Sequence, residues 1–301
     1  MRRSTRDFLI AWREVKGANL FDRLHGYVYA RWPYLYLGIG LGEHPISRAL
    51  DLIGLSKISP ARDEPGSRGQ AFADTYHGKV ITTTSARQLV QVQEDISLPN
   101  LEHVIPYPKA RDIIMTDPDH IVILDCPCRS ARLEPCLPLD VCMIVGEPFA
   151  SFVLDHHPDR SRWITCDEAE SILEAEHERG HVHHAFFKDA MLGRFYAICN
   201  CCSCCCGAMQ SFRSGTPMLV SSGYVSEVEV DLCVACELCT EHCPFEAMSM
   251  VDACVAIDRG LCMGCGVCVS KCPEGALSLQ EDPEKGVPLV LSELLKIGEE
   301  V

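Results

Sequence analysis

Residues 233–244 read C-V-A-C-E-L-C-T-E-H-C-P, and residues 262–273 read C-M-G-C-G-V-C-V-S-K-C-P. Both are C-x2-C-x2-C-x3-C-P, with cysteines at Cys233, Cys236, Cys239 and Cys243 and again, 29 residues later, at Cys262, Cys265, Cys268 and Cys272. Pro244 matches Pro273, Val230 matches Arg259 and Ala247 matches Ala276, so this is an internal repeat rather than a chance motif. The halves differ around the second cysteine. Gly264 and Gly266 flank Cys265, where the backbone can take positive φ and approach a bound group closely, whereas Ala235 and Glu237 flank Cys236. A carboxylate at Glu237 disfavours adding an electron beside it.

An iron–sulfur cubane needs four thiolates that converge from different directions. Three cysteines two residues apart wrap a tight loop, and a fourth, followed by a proline that ends the loop, reaches across to a neighbouring site. Zinc on C-x2-C pairs is the competing reading, but it does not account for a triple C-x2-C-x2-C followed by C-P, twice over. The spacing resembles that of bacterial-type 2[4Fe-4S] dicluster ferredoxins. That resemblance implies one [4Fe-4S] cluster on Cys233, Cys236, Cys239 and Cys272, and a second on Cys262, Cys265, Cys268 and Cys243. It also implies a ferredoxin-like unit over residues 223–282 with two short hairpins and two short helices.

The chain has 301 residues, room for two or three domains, with 47 % hydrophobic and 23 % charged residues, as in an ordinary folded protein. Twenty cysteines are far from ordinary. Clusters need reduced thiolates, so a reducing, cytoplasmic compartment and an anaerobic or low-potential metabolism are expected. The formal net charge is −15, and each cubane on four thiolates adds roughly two more negative charges. Nucleic acid and anionic membranes are poor partners for such a surface, while a redox partner with a basic docking face is a good one. The opening Met1-Arg2-Arg3-Ser4-Thr5-Arg6 brings twin-arginine export to mind, but the apolar run from Phe8 to Trp12 is too short and no small-residue cleavage site follows. No transmembrane segment is expected, and the aromatic stretch from Tyr27 to Gly42 reads as core.

The expected fold class is α+β. Residues 1–118 are read as a mostly helical N-terminal region, 119–222 as a small mixed cysteine-rich iron–sulfur domain, and 283–301 as a tail helix carrying Leu289, Leu291, Leu294, Leu295 and Ile297. Phe8, Leu9, Trp12 and Val15 share a helical face, and a second helix is expected through Ile46, Leu50 and Ile53. The stretch from Ser59 to Gln70 reads as a loop. His77–Ile81 reads as a strand, Thr82–Thr84 as the cap of a helix through Val92, Pro106 and Pro108 as the opening of a helix through Ile114, and Ile121–Leu124 as a buried strand. Thr165 and Glu168 form a capping box for a helix that ends at Gly180, with Cys166 structural in its first turn.

Two further cysteine groups precede the repeat. Cys126, Cys128, Cys136 and Cys142 fall within seventeen residues and suit one metal site, with Arg129 either a donor to cluster sulfurs or a surface cation. Cys199, Cys201, Cys202, Cys204, Cys205 and Cys206 are six cysteines in eight residues. They cannot all reach one cubane from regular structure, but a subset of four in an irregular loop could. His183 and His184 are adjacent and point apart on a strand, so a histidine metal site is disfavoured.

Residues 77–280 resemble an uncharacterised group of dicluster iron–sulfur proteins through Cys126-Pro127-Cys128-Arg129, Gly180-His181-Val182-His183, Ile198-Cys199-Asn200-Cys201-Cys202 and the terminal repeat. That resemblance implies one or two additional iron–sulfur clusters upstream and electron transfer, and it names no substrate. No dinucleotide fingerprint, P-loop or nucleophile elbow is present. An electron carrier is the first expectation. A redox enzyme subunit, whose upstream cysteines hold a catalytic cluster fed by the ferredoxin unit, is the alternative.

Overall fold

A computed structural model describes residues 1–15, 17–42, 44 and 68–299. The helix expected through Ile46 and Ile53, and residues 59–67 of the expected loop, lie outside these residues, while Arg68–Gln70, read as the end of that loop, open a helix instead. Helices α1 (Arg3–Ala11), α2 (Leu20–Arg31) and α3 (Pro33–Gly40) open the chain. The next elements are α4 (Arg68–Ala73), β1 (Tyr76–Ile81), α5 (Thr83–Val90), β2 (Ile96–Leu98) and β3 (Ile113–Asp125). After a single turn α6 (Pro127–Ser130) come β4 (Asp140–Glu147), α7 (Phe149–His156), β5 (Ser161–Ile164) and α8 (Cys166–Glu178). Then β6 (Val182–Lys188), β7 (Arg194–Cys201), α9 (Gly207–Arg213) and β8 (Leu219–Val220) complete the body.

The eight strands form one sheet in the order β2-β3-β4-β7-β6-β1-β8, with β5 added beside β3. Every pairing is antiparallel except β1 with β8. The sheet takes strands from both sides of residue 118, because β3 itself runs across that position. Ile113 and Ile114 belong to β3, not to a helix opened by Pro106 and Pro108. Ile113 pairs with Leu98 and is fully buried, the pleated setting that suits β-branched side chains. The helix capped by Thr82 ends at Val90, two residues before Val92.

Strand alternation gives the sheet two faces. The register puts Cys142, Cys199, His184 and Val80 across one face, and Asn200, His183 and Ile81 across the other. Helices α1, α2 and α7 cover the first face: Phe8 packs against Phe149 and Phe152, and the Tyr29 ring meets Tyr76 and Tyr196. Within Tyr27–Gly42, Tyr29 and Ala30 are core, while Trp32 and Leu35 are exposed. Helix α8 lies on the second face with Ala169 and Leu173 buried, starting where Thr165 Oγ1 accepts from Glu168 N at 3.2 Å and stopping before Gly180 at φ +81°. Cys166 accepts from Gln93 Nε2 at 3.5 Å.

The C-terminal unit comprises β9 (Tyr224–Val228), α10 (Leu238–Glu241), β10 (Met248–Val251), β11 (Cys254–Ile257), α11 (Val267–Lys271) and β12 (Leu277–Glu281). β10 and β11 form a hairpin, while β9 and β12 pair antiparallel from opposite ends of the unit. The repeat is visible in the backbone: Glu229 N bonds Ala276 O and Asp258 N bonds Ala247 O, both at 2.8 Å. The tail helix α12 (Leu291–Glu299) packs on α5 through Leu291 N to Gln88 Oε1 at 2.9 Å, with Leu289, Leu291 and Leu294 buried.

Candidate metal centres

The ferredoxin unit brings the cysteines of its two halves together crosswise. One cavity is lined by Cys233, Cys236, Cys239 and Cys272, with the carboxylates of Glu237 and Glu274 at its wall. The other is lined by Cys262, Cys265, Cys268 and Cys243, with no charged residue in its lining. Amide groups point at the sulfurs: Ala247 N reaches Cys243 Sγ and Ala276 N reaches Cys272 Sγ at 3.3 Å, and Ser226 N reaches Cys262 Sγ at 3.4 Å. Such donors stabilise thiolates bound to iron, so the donor set and its surroundings fit [4Fe-4S] clusters. Left-handed backbone recurs in both loops, at Ala235 (φ 54°) and Glu237 (φ 65°) as at Gly264 (φ 64°) and Gly266 (φ 80°).

The upstream cysteines sort differently from their order in the chain. Cys136 does not join Cys126, Cys128 and Cys142 in one site. It meets Cys202, Cys204 and Cys205, and the four Sγ atoms lie within 4.8 Å of one another. The remaining six form a second group. Thiol hydrogen bonds link Cys126 to Cys128 and Cys142, Cys142 to Cys199, and Cys128 to Cys206. Cys206 Sγ in turn lies 3.2 Å from Cys201 Sγ. Sheet register is the reason: Cys142 on β4 sits opposite Cys199 on β7, while Cys126 and Cys128 flank the turn that caps β3.

These thiols are strongly perturbed. The hydrogen bond to Cys128, then burial, pushes Cys126 up to about 12. A hydrogen bond with Cys206 pulls Cys201 down, but burial and neighbouring thiols outweigh it and hold Cys201 at about 12. Such groups give up their protons when a cation replaces them. His184, opposite Cys199 in register, is fully buried, and that burial pushes it down to about 3 against a weaker upward pull from the Val182 backbone. A buried neutral imidazole opposite this group of thiols is a setting suited to a bound group.

Arg129 is neither a sulfur donor through its side chain nor a surface cation. It is 1 % exposed and its guanidinium donates to Glu176 Oε2 at 2.7 Å, Asn200 O at 3.0 Å and Pro138 O at 2.5 Å. Burial alone would raise the Glu176 carboxyl, but hydrogen bonds from His181 and Arg129 hold it below the usual carboxylate range. This ion pair braces the six-cysteine site from the second face. Beside it, Asn200 Oδ1 lies 2.6 Å from His183 Nδ1, and the His183 ring stacks on His177 at 5.7 Å. His177 borders the ferredoxin unit, since a methyl group on Gly266 would lie 3.9 Å from its Cε1.

A family model described as a 4Fe-4S binding domain matches residues 227–249 and 255–278, one match for each half of the repeat. No curated protein matches this chain. The chain therefore carries an iron–sulfur binding unit of ferredoxin type. Among the described residues, no helix is long and apolar enough to cross a membrane.

Proposed function

We propose that this chain is a cytoplasmic iron–sulfur electron-transfer protein in which two C-terminal [4Fe-4S] clusters deliver low-potential electrons to a further centre on Cys126, Cys128, Cys142, Cys199, Cys201 and Cys206. The observation that carries this reading is the row His177, His183 and Asn200, which starts beside Gly266 of the second ferredoxin loop and ends between Cys199 and Cys201. Electrons enter at the first cluster, where Cys236 is exposed beside Val230 and Val234, and where Glu237 and Glu274 favour a donor with a basic docking face. The test is iron and acid-labile sulfide per chain in anaerobically purified protein, with EPR of the reduced sample. About eight irons, the content of two cubanes, would remove the inner centre; about twelve or more supports it.

A redox enzyme subunit is the second reading, favoured by one feature of the sheet's first face, which carries Cys142 and Cys199. Lys188 is 1 % exposed and its Nζ lies 4.3 Å, 4.8 Å and 5.7 Å from the ring centres of Tyr76, Tyr29 and Tyr36. Tyr29 and Tyr196 share a hydroxyl hydrogen bond of 2.8 Å next to it. These groups could supply protons during a reduction. An inner-centre potential that falls by about 59 mV per pH unit would favour the enzyme, and a flat profile the carrier.

A further inference from the structure

The quartet Cys136, Cys202, Cys204 and Cys205 lies outside both ferredoxin sites and outside the six-cysteine group. We propose that it holds a single tetrahedral metal ion, zinc or mononuclear iron, and not a cubane. The argument is dimensional. Four thiolates about 2.3 Å from one ion stand roughly 3.8 Å apart along the edges of a tetrahedron. All four Sγ atoms here lie within 4.8 Å of one another, with Cys204 and Cys205 at 3.6 Å. A cubane spreads its outer thiolates farther, because each is attached to a different iron.

The surroundings suit a divalent ion on four thiolates, which carries two net negative charges. Arg132 donates to Gln210 Oε1 at 2.6 Å and to Cys205 O at 3.4 Å, and Gln210 Nε2 donates to Cys204 O at 2.7 Å. Arg213 donates to Ser203 O at 3.0 Å and, with its other terminal nitrogen, to Pro244 O at 2.8 Å. The loop is thus held from its carbonyl side while its sulfurs converge on the other. Cys136 and Cys204 approach to 2.9 Å, well beyond the roughly 2.05 Å of a disulfide. An ion here ties the loop after α6 to the loop after β7, and through Arg213 to the backbone beside Cys243. Its work is to fix the surface on which the ferredoxin unit sits. This assignment goes beyond the electron-transfer reading and does not depend on the six-cysteine centre.

The experiment uses the full chain, purified anaerobically with its metals. X-ray absorption at the zinc edge is expected to give about one zinc per chain with four sulfurs near 2.3 Å and no metal neighbour. If the ion is iron, the zinc edge is silent and the double variant C136S/C204S loses about one iron. In either case that variant loses one metal ion while the EPR amplitude of the ferredoxin clusters is retained. Loss of about four irons together with a cubane signal would overturn the proposal. So would native protein with no zinc, no iron lost in the variant, and a Cys136–Cys204 disulfide by mass spectrometry. Should the variant fail to fold, the native chain decides the question by its zinc content or, where zinc is absent, by the Mössbauer signature of one mononuclear tetrahedral thiolate-bound iron per chain; a native chain with neither overturns the proposal.

Discussion

Glu237 is the residue at which the two halves of the repeat part company most. Its φ of 65° is the left-handed value that Gly266 supplies without a side chain in the other half, so the first loop holds strain of about 1–2 kcal/mol per such residue. At Gly264 a side chain is excluded outright, because a Cβ would overlap Ser222 Oγ and Tyr224 O. The Glu237 carboxylate stands at the wall of the first cluster cavity, while the second has no charged residue in its lining. Glu237→Gln is therefore expected to raise the potential of the first cluster by roughly 20–50 mV, a modest shift because the residue is exposed and screened. EPR-monitored redox titration would detect it, and an unmoved first centre would remove Glu237 from the account. The glycine difference was legible in the sequence. The burial of Arg129 was not, since its partners Glu176 and His181 lie far along the chain. One signal existed: Glu176 follows Ala169 and Leu173 on the apolar stripe of α8, where an acid needs a partner.

At the level of elements, β1 carries the clearest conflict between placement and chemistry. Lys79 is 1 % exposed on the second face of the sheet, and its Nζ donates to Ser221 O at 2.8 Å. Ser221 Oγ reaches Met263 O at 3.3 Å, so β1 is tied through this lysine to the second cluster loop. Burial pushes the Lys79 ammonium down to about 7. Below pH 7 the folded and unfolded chains both hold the proton, and the cost of burying the charge is fully present. Between pH 7 and the unfolded value near 10.4 the unfolded chain binds more protons, so stability rises with pH. The expected gain is about 2 kcal/mol from pH 7 to 9, and Lys79→Met should stabilise the protein at pH 7 and flatten that slope. Anaerobic denaturant unfolding at the two pH values measures both, and a slope that survives the substitution would assign it to another group. Strand β1 itself and helix α8 were readable from alternation and capping. The partition of the upstream cysteines was not, because it depends on which strands pair. Cys142 meets Cys199 only through the β4–β7 register, and Cys136 is carried away by the loop between α6 and β4.

For the whole molecule the question is whether the ferredoxin unit is an appendage or part of the body. Several contacts argue for the latter: Ser222 N bonds Met263 O at 3.1 Å, Ser222 Oγ bonds Gly264 O at 2.8 Å, and Lys271 donates to Glu178 O at the end of α8. Met263 belongs to the core of the large sheet and Phe245 and Cys265 pack against it, while Val225, Val255, Leu277 and their neighbours form small cores of their own. The sheet nevertheless owes most of its stability to Val122, Phe186, Ile198 and their neighbours, none of which touches the ferredoxin repeat in sequence. Cys265, the ligand proposed for the second cluster, packs against the edge of that core, and Cys265→Ser replaces its sulfur with oxygen at almost constant volume. The expected outcome is loss or weakening of one low-potential EPR signal, retention of the far-UV circular dichroism of the sheet, and slower reduction of the inner centre when electrons are supplied through the first cluster. Collapse of the region around residues 119–222 would mean that the second cluster is needed to fold the body. An unchanged rate of inner reduction would mean that electrons reach the six-cysteine site by a path that avoids His177 and His183, and the intramolecular delivery proposed above would fall with it.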